Sequence, residues 1–483
     1  MPSPQVKNQH ILWRAGFGQS VNDLSEIKNK STQKVWRHLL QQSSSSPQKI
    51  EVAVNLFDGV LKGFTNLSQF ESLSKDQKKQ LQQQSREDIK KLNLAWMNEM
   101  VSSKAQVRER VSLFWHGHFA CRVINIYYQQ QLLHIIRENA LGNFGDLLRA
   151  VSKSAAMLQF LNNKQNKKRK PNENFAREVM ELFTMGRGNY TEKDIKEAAR
   201  AFTGWSFTID GAFEFKENQH DSGEKTILGK TGNFNGDDVI DILLQQKQTA
   251  VFITRKIYTY FVNEKPDEAK VQWLSERFYK NKYDIKKLLD DIVSSDWFYE
   301  DKNVGTKIKS PVDLLVGLRR MLPMQLENEA SLVMLQKALG QLLFYPPNVA
   351  GWPGGKSWID SSTLMLRLRI PQIVALNEKL SIRLKADDDT QMGRMEEDGM
   401  VKKKLKEFIK KGASATIDWS LFLKVFEKTP RENLLVEITN LLFQTKSRVN
   451  TEVLEAYLNK ENREAFIKSV AINVMSTPEY QLC

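Results

Sequence analysis

The sequence predicts a mainly α-helical protein: a multi-helix globular body with a small β-hairpin insertion and a C-terminal helical region. Three observations predict this. Apolar residues recur every three to four positions in most segments. Only residues 205–215 alternate apolar and polar side chains as a pair of strands does. Finally, 41% hydrophobic and 27% charged residues are ordinary globular usage, and a chain with two cysteines is not a disulfide scaffold.

The helices follow from this periodicity along the chain. In order, the predicted ranges are residues 76–100, 105–119, 127–139, 144–161, 174–185, 192–202, 237–245, 249–262, 267–279, 285–294, 311–321, 332–342 and 362–369. Thr191 followed by Asp194 predicts a capping box in which Asp replaces the usual Glu or Gln. Asp360 or Ser361 is expected to cap the last of these helices.

The hairpin is predicted around Asp210-Gly211, because this dipeptide favours a two-residue turn in which both positions have positive φ. The polar stretch that follows, residues 220–235, is predicted to be a Gly-rich loop at the mouth of a cleft. It contains the letters LGKT at 228–231, but the glycine spacing differs from a Walker motif. This difference argues against ATP or GTP binding.

Changes in composition predict the domain organisation. The stretches at 41–49 (QQSSSSPQK), 345–356 (YPPNVAGWPGGK) and 384–400 have the composition of linkers. We therefore expect a helical core domain over residues 1–375, a charged linker over 376–400 and a C-terminal helical region over 401–483.

The charge of the chain favours anionic partners. Its 71 basic and 57 acidic residues give a net charge of +14, which favours an anionic substrate or surface. The basic runs at 163–171 and 402–411 are not interleaved with the aromatic residues that single-strand binders use. This argues against nucleic acid and for solvated segments. An anionic substrate and an envelope protein are the expected partners.

The start of the chain predicts a cytoplasmic protein. Residues 1–18 lack the continuous apolar stretch and small-residue cleavage site of a secretory signal. A trimmed signal, or export together with a partner, is the alternative. No apolar run reaches the ~20 residues that a transmembrane helix needs, so we expect no transmembrane segment.

Six segments together resemble one bacterial family, the domain of unknown function 1800 family. They are residues 10–18 (HILWRAGFG), 113–119 (LFWHGHF), 171–188 (PNENFAREVMELFTMGRG), 220–225 (HDSGEK), 234–243 and 344–360 (FYPPNVAGWPGGKSWID). The resemblance runs over nearly the whole chain. It implies a mostly helical fold, and its members often carry export signals, which are not recognisable here. It implies no substrate, because the family is named for its lack of an assigned function.

Two of the six histidines, His116 and His118, lie in one tripeptide with Gly117. On an ideal helix, residues two apart point ~200° away from each other. The two imidazoles therefore converge only if the helix ends or bulges here; otherwise only one of them faces a site. Glu109 is seven residues before His116 and shares its helix face.

A second group lies on the helix predicted at 174–185. Glu178 and Glu181 are three residues apart and share one face, whereas Arg177 points elsewhere. A third group, His220 and Asp221 with Lys225 close behind, lies in the polar loop after the hairpin.

Imidazole and carboxylate groups are the ligands of zinc, iron or manganese. The predicted metal ligands are His116, His118, Glu178, His220 and Asp221. The predicted catalytic residues are Glu178, Glu181, Arg177 and Lys225. Two metal-free interpretations stay open: structural ion pairs within the helical body, and an acid–base site in which His116 or His118 is tuned by Glu178.

Two hypotheses of function follow. The first is an enzyme, hydrolytic or oxidative, that uses this cluster around a divalent metal to attack an ester, sulfate or glycan linkage. The second is a non-catalytic helical scaffold or partner protein in cell-envelope or polysaccharide processing. The first predicts side chains that converge on one point, and the second predicts that each histidine has a separate partner.

Overall fold

Helices make up most of the residues that the computed structural model describes, which are 2–24, 28, 30–53, 74–376, 415–445, 448–449 and 451–483. The predicted mainly α-helical class is confirmed. In chain order the helices are α1 (Pro4–Arg14), α2 (Thr32–Gln42), α3 (Lys75–Ser102), α4 (Gln106–His118), α5 (Ile126–Asn139), α6 (Phe144–Ser152), α7 (Ala155–Phe160), α8 (Asn174–Glu178), α9 (Glu192–Ala201), α10 (Gly236–Gln245), α11 (Lys247–Phe261), α12 (Glu268–Lys280), α13 (Ile285–Val293), α14 (Pro311–Met321), α15 (Ala330–Leu339), α16 (Ser361–Leu376), α17 (Ser420–Val425), α18 (Leu434–Leu442), α19 (Thr451–Ala456) and α20 (Arg463–Met475).

Short strands pair into three antiparallel hairpin-sized sheets within the described ranges. They are β1 (Trp205–Phe207) with β2 (Phe213–Phe215), β3 (Lys225–Ile227) with β4 (Lys230–Gly232), and β5 (Met324–Leu326) with β6 (Ala415–Ile417). Single 3₁₀ turns are found at Val21–Asp23, Asn163–Gln165, Glu217–Gln219, Asp296–Tyr299, Gly355–Trp358, Arg431–Asn433 and Glu479–Gln481.

Helix starts are set by side chains that accept hydrogen bonds from the unpaired first-turn amides. The predicted capping box at Thr191 and Asp194 is confirmed, and similar boxes begin α3 at Ser74 and α14 at Ser310. The helix predicted over 144–161 is divided, because Ser154 caps a new helix, α7, by accepting from the amide of Met157. The periodicity did not reveal α1 or α2.

The hairpin predicted at 205–215 is confirmed, with Trp205 opposite Phe215 in its register. Its turn differs from the prediction. Thr208 and Ala212 close a three-residue loop, and Gly211 is the one residue in it with positive φ, +84°.

A tight two-residue turn is found instead at Leu228-Gly229, where both φ values are positive. The stretch predicted to be a Gly-rich loop at 220–235 therefore contains a second hairpin, β3–β4. The amide of Leu228 donates to Asp194 Oδ1 at 2.7 Å, which fixes this hairpin against the start of α9.

One continuous buried apolar cluster extends through the described ranges, from Ile11 in α1 to Met475 in α20. Residues near the end of the chain pack on earlier elements: β6 pairs with β5, and Cys483 and Lys307 exchange backbone hydrogen bonds. The predicted domain boundaries stay a prediction. The charged linker predicted at 376–400 lies, past Leu376, outside the described residues, as does the basic run at 402–411.

No described helix has the length and apolar character that crossing a bilayer requires.

Candidate functional site

The two histidines of the HGH tripeptide lie in the last turn of α4 and make contacts on different sides of it. His116 Nε2 accepts a hydrogen bond from the amide of Phe344 at 3.2 Å. Its ring packs against the rings of Trp96, Phe344 and Trp352, with centroids 5.0–5.5 Å apart. Burial lowers the pKa of His116 to about 3. The imidazole is therefore neutral and serves as an acceptor for the loop that follows α15.

His118 contacts the helix that carries the predicted carboxylates. Its Nε2 lies 3.2 Å from the carbonyl oxygen of Phe183, and its Nδ1 lies 3.2 Å from Lys256 Nζ. A carbonyl oxygen only accepts, so Nε2 carries the hydrogen and Nδ1 accepts from the ammonium group. Burial, and secondly the charge of Lys256, lower the pKa of His118 well below its ordinary value.

Lys256 on α11 is a residue that the sequence analysis missed. Its Nζ also approaches the carbonyl oxygen of Leu182 at 3.3 Å, and burial lowers its pKa to about 8. His118 and Lys256 therefore satisfy two consecutive carbonyl groups, those of Leu182 and Phe183. No local pattern reveals this pair, because 138 residues separate its members.

These carbonyl groups belong to a π-helix, Val179–Met185, which continues α8. Thr184 Oγ1 donates to the carbonyl oxygen of Val179 at 2.7 Å and lies 3.3 Å from that of Met180. The helix predicted over 174–185 thus has a wider turn than expected. Single π-turns of this kind often occur at functional sites.

The polar side of this segment unites three of the predicted catalytic residues. We call Arg177, Glu178, Glu181, Arg187 and Tyr190 the Glu178 cluster. Glu181 accepts from the Tyr190 hydroxyl at 2.5 Å and from Arg187 Nε at 2.9 Å. Arg187 exposes 87% of its side chain, so most of its guanidinium group is accessible to a bound molecule.

Glu178 is half-buried and has no hydrogen-bond partner within the described part of the chain. Burial raises the pKa of its carboxyl group, the charge of Glu181 raises it further, and Arg177 opposes the shift. Arg177 itself binds Glu192 through two nitrogens, at 2.9 and 2.7 Å, and Glu173 at 3.1 Å. The guanidinium group of Arg177 is thus largely engaged in ion pairs, whereas the carboxyl group of Glu178 is available.

The third predicted group lies apart, at the start of β3. Asp221 forms a bidentate ion pair with Arg200, at 2.7 and 3.1 Å, and this pair lowers the pKa of the Asp221 carboxyl group. Lys225 Nζ donates to the carbonyl oxygens of Asp221 and Gly223 at 2.5 and 2.8 Å. His220 Nδ1 lies 2.9 Å from the carbonyl oxygen of Thr203. These bonds fix the loop over α9.

The predicted residues thus do not form one group. Arg177, Glu178 and Glu181 lie together, His220, Asp221 and Lys225 lie together, and His116 and His118 lie on different sides of α4. Among the described residues, no group of three or more His, Cys, Asp and Glu side chains is arranged to hold a metal ion. Metal binding and the individual catalytic roles stay predictions.

Comparison with known proteins gives one match. A family model described as "Protein of unknown function (DUF1800)" matches residues 10–482, nearly the whole chain. Neither the curated proteins nor the solved structures contain a match to this chain.

Proposed function

Because the chain belongs to the DUF1800 family, which is described as proteins of unknown function, we propose a function from its own site: an acid–base hydrolase that uses the Glu178 cluster. The observation that carries this proposal is the contrast between two neighbouring carboxyl groups. The carboxyl group of Glu178 is half-buried, has no hydrogen-bond partner among the described residues and has a raised pKa, whereas Glu181 is held by Tyr190 and Arg187. Paired carboxyl groups in different environments are typical of an acid and a base that act together.

The chemistry follows from these environments. The protonated carboxyl group of Glu178 donates its proton to the leaving oxygen of an ester or glycosidic linkage as that bond breaks. The carboxylate of Glu181 takes a proton from the water molecule that attacks the other side of the linkage. The exposed guanidinium group of Arg187 supplies hydrogen-bond donors for an anionic substrate, in agreement with the positive net charge of the chain.

His118 and Lys256 act as positioning residues in this proposal. They hold the carbonyl groups of Phe183 and Leu182, on the segment that also carries Glu178 and Glu181. A substitution at His118 is therefore expected to lower turnover through the orientation of the two carboxyl groups rather than through proton transfer.

Activity of Glu178→Gln on a panel of chromogenic nitrophenyl esters and glycosides tests the proposal. We expect the wild type to hydrolyse at least one substrate and Glu178→Gln to be 10²–10⁴-fold slower. Glu217→Gln, which changes an exposed carboxyl group near the hairpin, is the matched control and should leave turnover unchanged. An equal rate in Glu178→Gln and the wild type would contradict the proposed role of this residue.

A divalent metal, whether zinc, iron or manganese, is the cofactor that the sequence predicts, and it remains a proposal. The residues present do not fit one shared site for it, since His118, His220 and Asp221 are engaged by different partners. Plasma mass spectrometry of protein purified without chelator, beside Glu178→Gln and a His116→Ala/His118→Ala double variant, tests metal binding. A stoichiometric metal that both variants lose would support the predicted site.

A second candidate is a non-catalytic helical scaffold or partner protein in cell-envelope or polysaccharide processing. The separate partners of His116, His118 and His220 favour it, because these groups then serve as internal connections. This alternative predicts that Glu178→Gln changes neither the stability nor any hydrolytic activity. His116→Ala, in contrast, should destabilise the fold, since it removes the acceptor for the amide of Phe344.

A further inference from the structure

A cavity of about 490 Å³ lies between α1, α2, the end of α3 and the end of α14. Its volume is in the range of small-molecule binding sites. It has no lining residue in common with the Glu178 cluster, so an inference drawn from it does not depend on the proposed hydrolase activity. We call it the α2 cavity, since α2 contributes Val35, His38, Leu39 and Gln42 to its lining.

Part of the lining of the α2 cavity is apolar. Leu12 of α1, Val21, and Val35 and Leu39 of α2 line it and belong to the continuous buried cluster. Met324 of β5 and Val101 of α3 extend this surface. Side chains of this kind release water when a hydrocarbon group covers them, at about 25 cal/mol for each Å² of apolar surface. An inorganic ion does not use such a surface, whereas an alkyl or aryl group does.

The rest of the lining is rich in positive charge. Lys30, Lys104, Arg319 and Arg320 all line the α2 cavity, and Asp23 is the one carboxylate among the lining residues that the structure describes. Guanidinium groups keep their charge over the whole physiological pH range. An anion is therefore attracted to this cavity, and a cation of the same shape is repelled.

The two arginines have different environments. Arg320 is anchored by the protein itself: its Nε donates to the carbonyl oxygen of Gly18 at 3.2 Å, and its Nη1 to that of Val101 at 2.8 Å. Its Nη2 also lies 3.8 Å from Asp23. These bonds satisfy Arg320 as part of the cavity wall.

Only part of the guanidinium group of Arg319 has hydrogen-bond acceptors among the described residues. Its Nη2 donates to Asn98 Oδ1 at 2.8 Å, but its Nε and Nη1 are buried and have no hydrogen-bond partner among the described residues. Glu329, the carboxylate that raises the pKa of Arg319 against the effect of burial, does not line the cavity. Buried N–H groups of a charged side chain without acceptors are costly. These two nitrogens are also closed to solvent, so Arg319 contributes its positive charge to the cavity lining rather than a free pair of donors.

We infer that the α2 cavity binds an amphipathic carboxylate, with its hydrocarbon body against Leu12, Val35 and Leu39 and its carboxylate beside the positive charges of Lys104 and Arg319. The apolar lining residues select against small hydrophilic anions such as acetate, and the basic lining residues select against neutral and cationic amphiphiles. The ligand class is therefore an alkyl or aryl carboxylic acid in its ionised form.

Calorimetric titration of the full chain with decanoate, below the concentration at which decanoate forms micelles, tests this inference. Acetate and decylammonium are the comparison ligands, because each lacks one of the two required features. We expect decanoate to bind at one site and both comparison ligands to bind at least tenfold more weakly. Equal binding of decanoate and decylammonium, or no measurable heat with decanoate, would overturn the inference.

Variants then locate the site. Arg319→Met keeps the length of the side chain and should weaken decanoate binding at least tenfold, while Arg169→Met removes the same charge from an exposed loop and should change binding less than twofold. Lys104→Met is a second variant at an exposed position of the cavity lining, so it tests the charge without a risk to folding. Unchanged binding in both Arg319→Met and Lys104→Met would place the carboxylate elsewhere and refute the assignment.

Discussion

Glu109 provides the sharpest test of how the helical body is held together. It lies in the first turn of α4 and exposes none of its surface, yet it is an acidic residue paired with arginines. Arg137 of α5 donates to it from Nε at 2.9 Å and from Nη2 at 2.8 Å, and Arg108 donates from Nε at 3.3 Å. The indole Nε1 of Trp96 in α3 donates a further bond at 3.0 Å. One carboxylate thus connects three helices.

We predict that Glu109→Gln lowers the free energy of unfolding by about 3–5 kcal/mol, the usual cost of removing one partner from a buried ion pair. The substitution keeps the shape of the side chain, so the loss does not come from a cavity. It comes from the buried guanidinium group of Arg137, which then faces a neutral amide. The amide nitrogen, itself a donor, also replaces one of the two acceptor oxygens.

Urea unfolding followed by tryptophan fluorescence measures this loss, because Trp96 is bonded directly to Glu109. Glu99→Gln is the matched control: Glu99 binds the same Arg137 at 3.0 Å but exposes 33% of its side chain. It should cost less than about 1 kcal/mol, as exposed ion pairs do. An effect of Glu109→Gln no larger than that of Glu99→Gln would refute the argument that burial decides the energy here.

Three further predictions follow from single contacts. Burial lowers the pKa of Lys309 to about 7, whereas an unfolded lysine titrates near 10.4. Between these two pH values the unfolded chain therefore binds more protons than the folded chain. The free energy of unfolding rises with pH across this window. Lys309→Met should lower the slope of the unfolding free energy against pH by on the order of 1 kcal/mol per pH unit. Urea unfolding at several pH values measures this slope, and an unchanged slope would contradict a titrating Lys309. His118→Phe leaves the carbonyl group of Phe183 without its donor and should lower the free energy of unfolding in urea by about 1–3 kcal/mol. The same change at the partly exposed His134 should cost less. Equal losses would refute a structural role of the hydrogen bond between His118 and Phe183. Thr191→Ala removes the N-cap of α9 and should cost about 1 kcal/mol, detected as a lower urea midpoint, which a midpoint equal to that of the wild type would contradict.

The sequence predicts elements whose cause is local. The capping box at Thr191 and Asp194 needs only two side chains three residues apart, and it is present as predicted. The strands around residues 205–215 also follow from alternation alone. Their turn does not, because Asp-Gly permits several loop lengths and the choice between them depends on what the loop contacts. Gly211 lies close to Tyr128 and Gln131 of α5, and those residues are distant in sequence.

The turn at Leu228-Gly229 was not predicted, for a related reason. Leucine is disfavoured at positive φ, so the letters around it do not indicate a two-residue hairpin turn. The bond from its amide to Asp194 Oδ1 supplies part of the stabilisation that makes the conformation acceptable. This bond joins residues 34 positions apart, and a local pattern does not contain it.

In the candidate site, too, one part is predictable from the sequence and another part is not. Glu178 and Glu181 are neighbours on one helix, so their proximity follows from spacing alone. The partners of the other predicted residues, and of the backbone that carries the two carboxyl groups, do not follow from spacing. Lys256, which holds the carbonyl group of Leu182, comes from α11, and Arg200, which neutralises Asp221, comes from α9. The sequence therefore predicts one cluster from residues that lie in separate places in the fold.

The HGH tripeptide shows why the predicted residues do not all lie together. Because two residues of a helix that are two positions apart face different sides, His116 reaches the loop at Phe344 and His118 reaches the π-helix at Phe183. Gly117 lies between them. Its carbonyl oxygen is so close to Gly351 that no side chain fits at position 351. The three segments 113–119, 171–188 and 344–360, which carry the family resemblance, thus meet at the end of α4.

A junction of this kind explains the histidines without any catalysis. Their separate partners favour a scaffold over a metal-dependent enzyme, but they do not discriminate between a scaffold and the acid–base hydrolase. Glu178 does, because its carboxyl group has no structural bond to lose within the described residues. We predict that Glu178→Gln unfolds in urea at the wild-type midpoint or slightly above it, since it removes a carboxyl group that burial and the charge of Glu181 disfavour. A loss of hydrolysis at unchanged stability then reports chemistry alone. If Glu178→Gln instead unfolds at markedly lower urea, its carboxyl group is structural and the hydrolase proposal loses its proton donor.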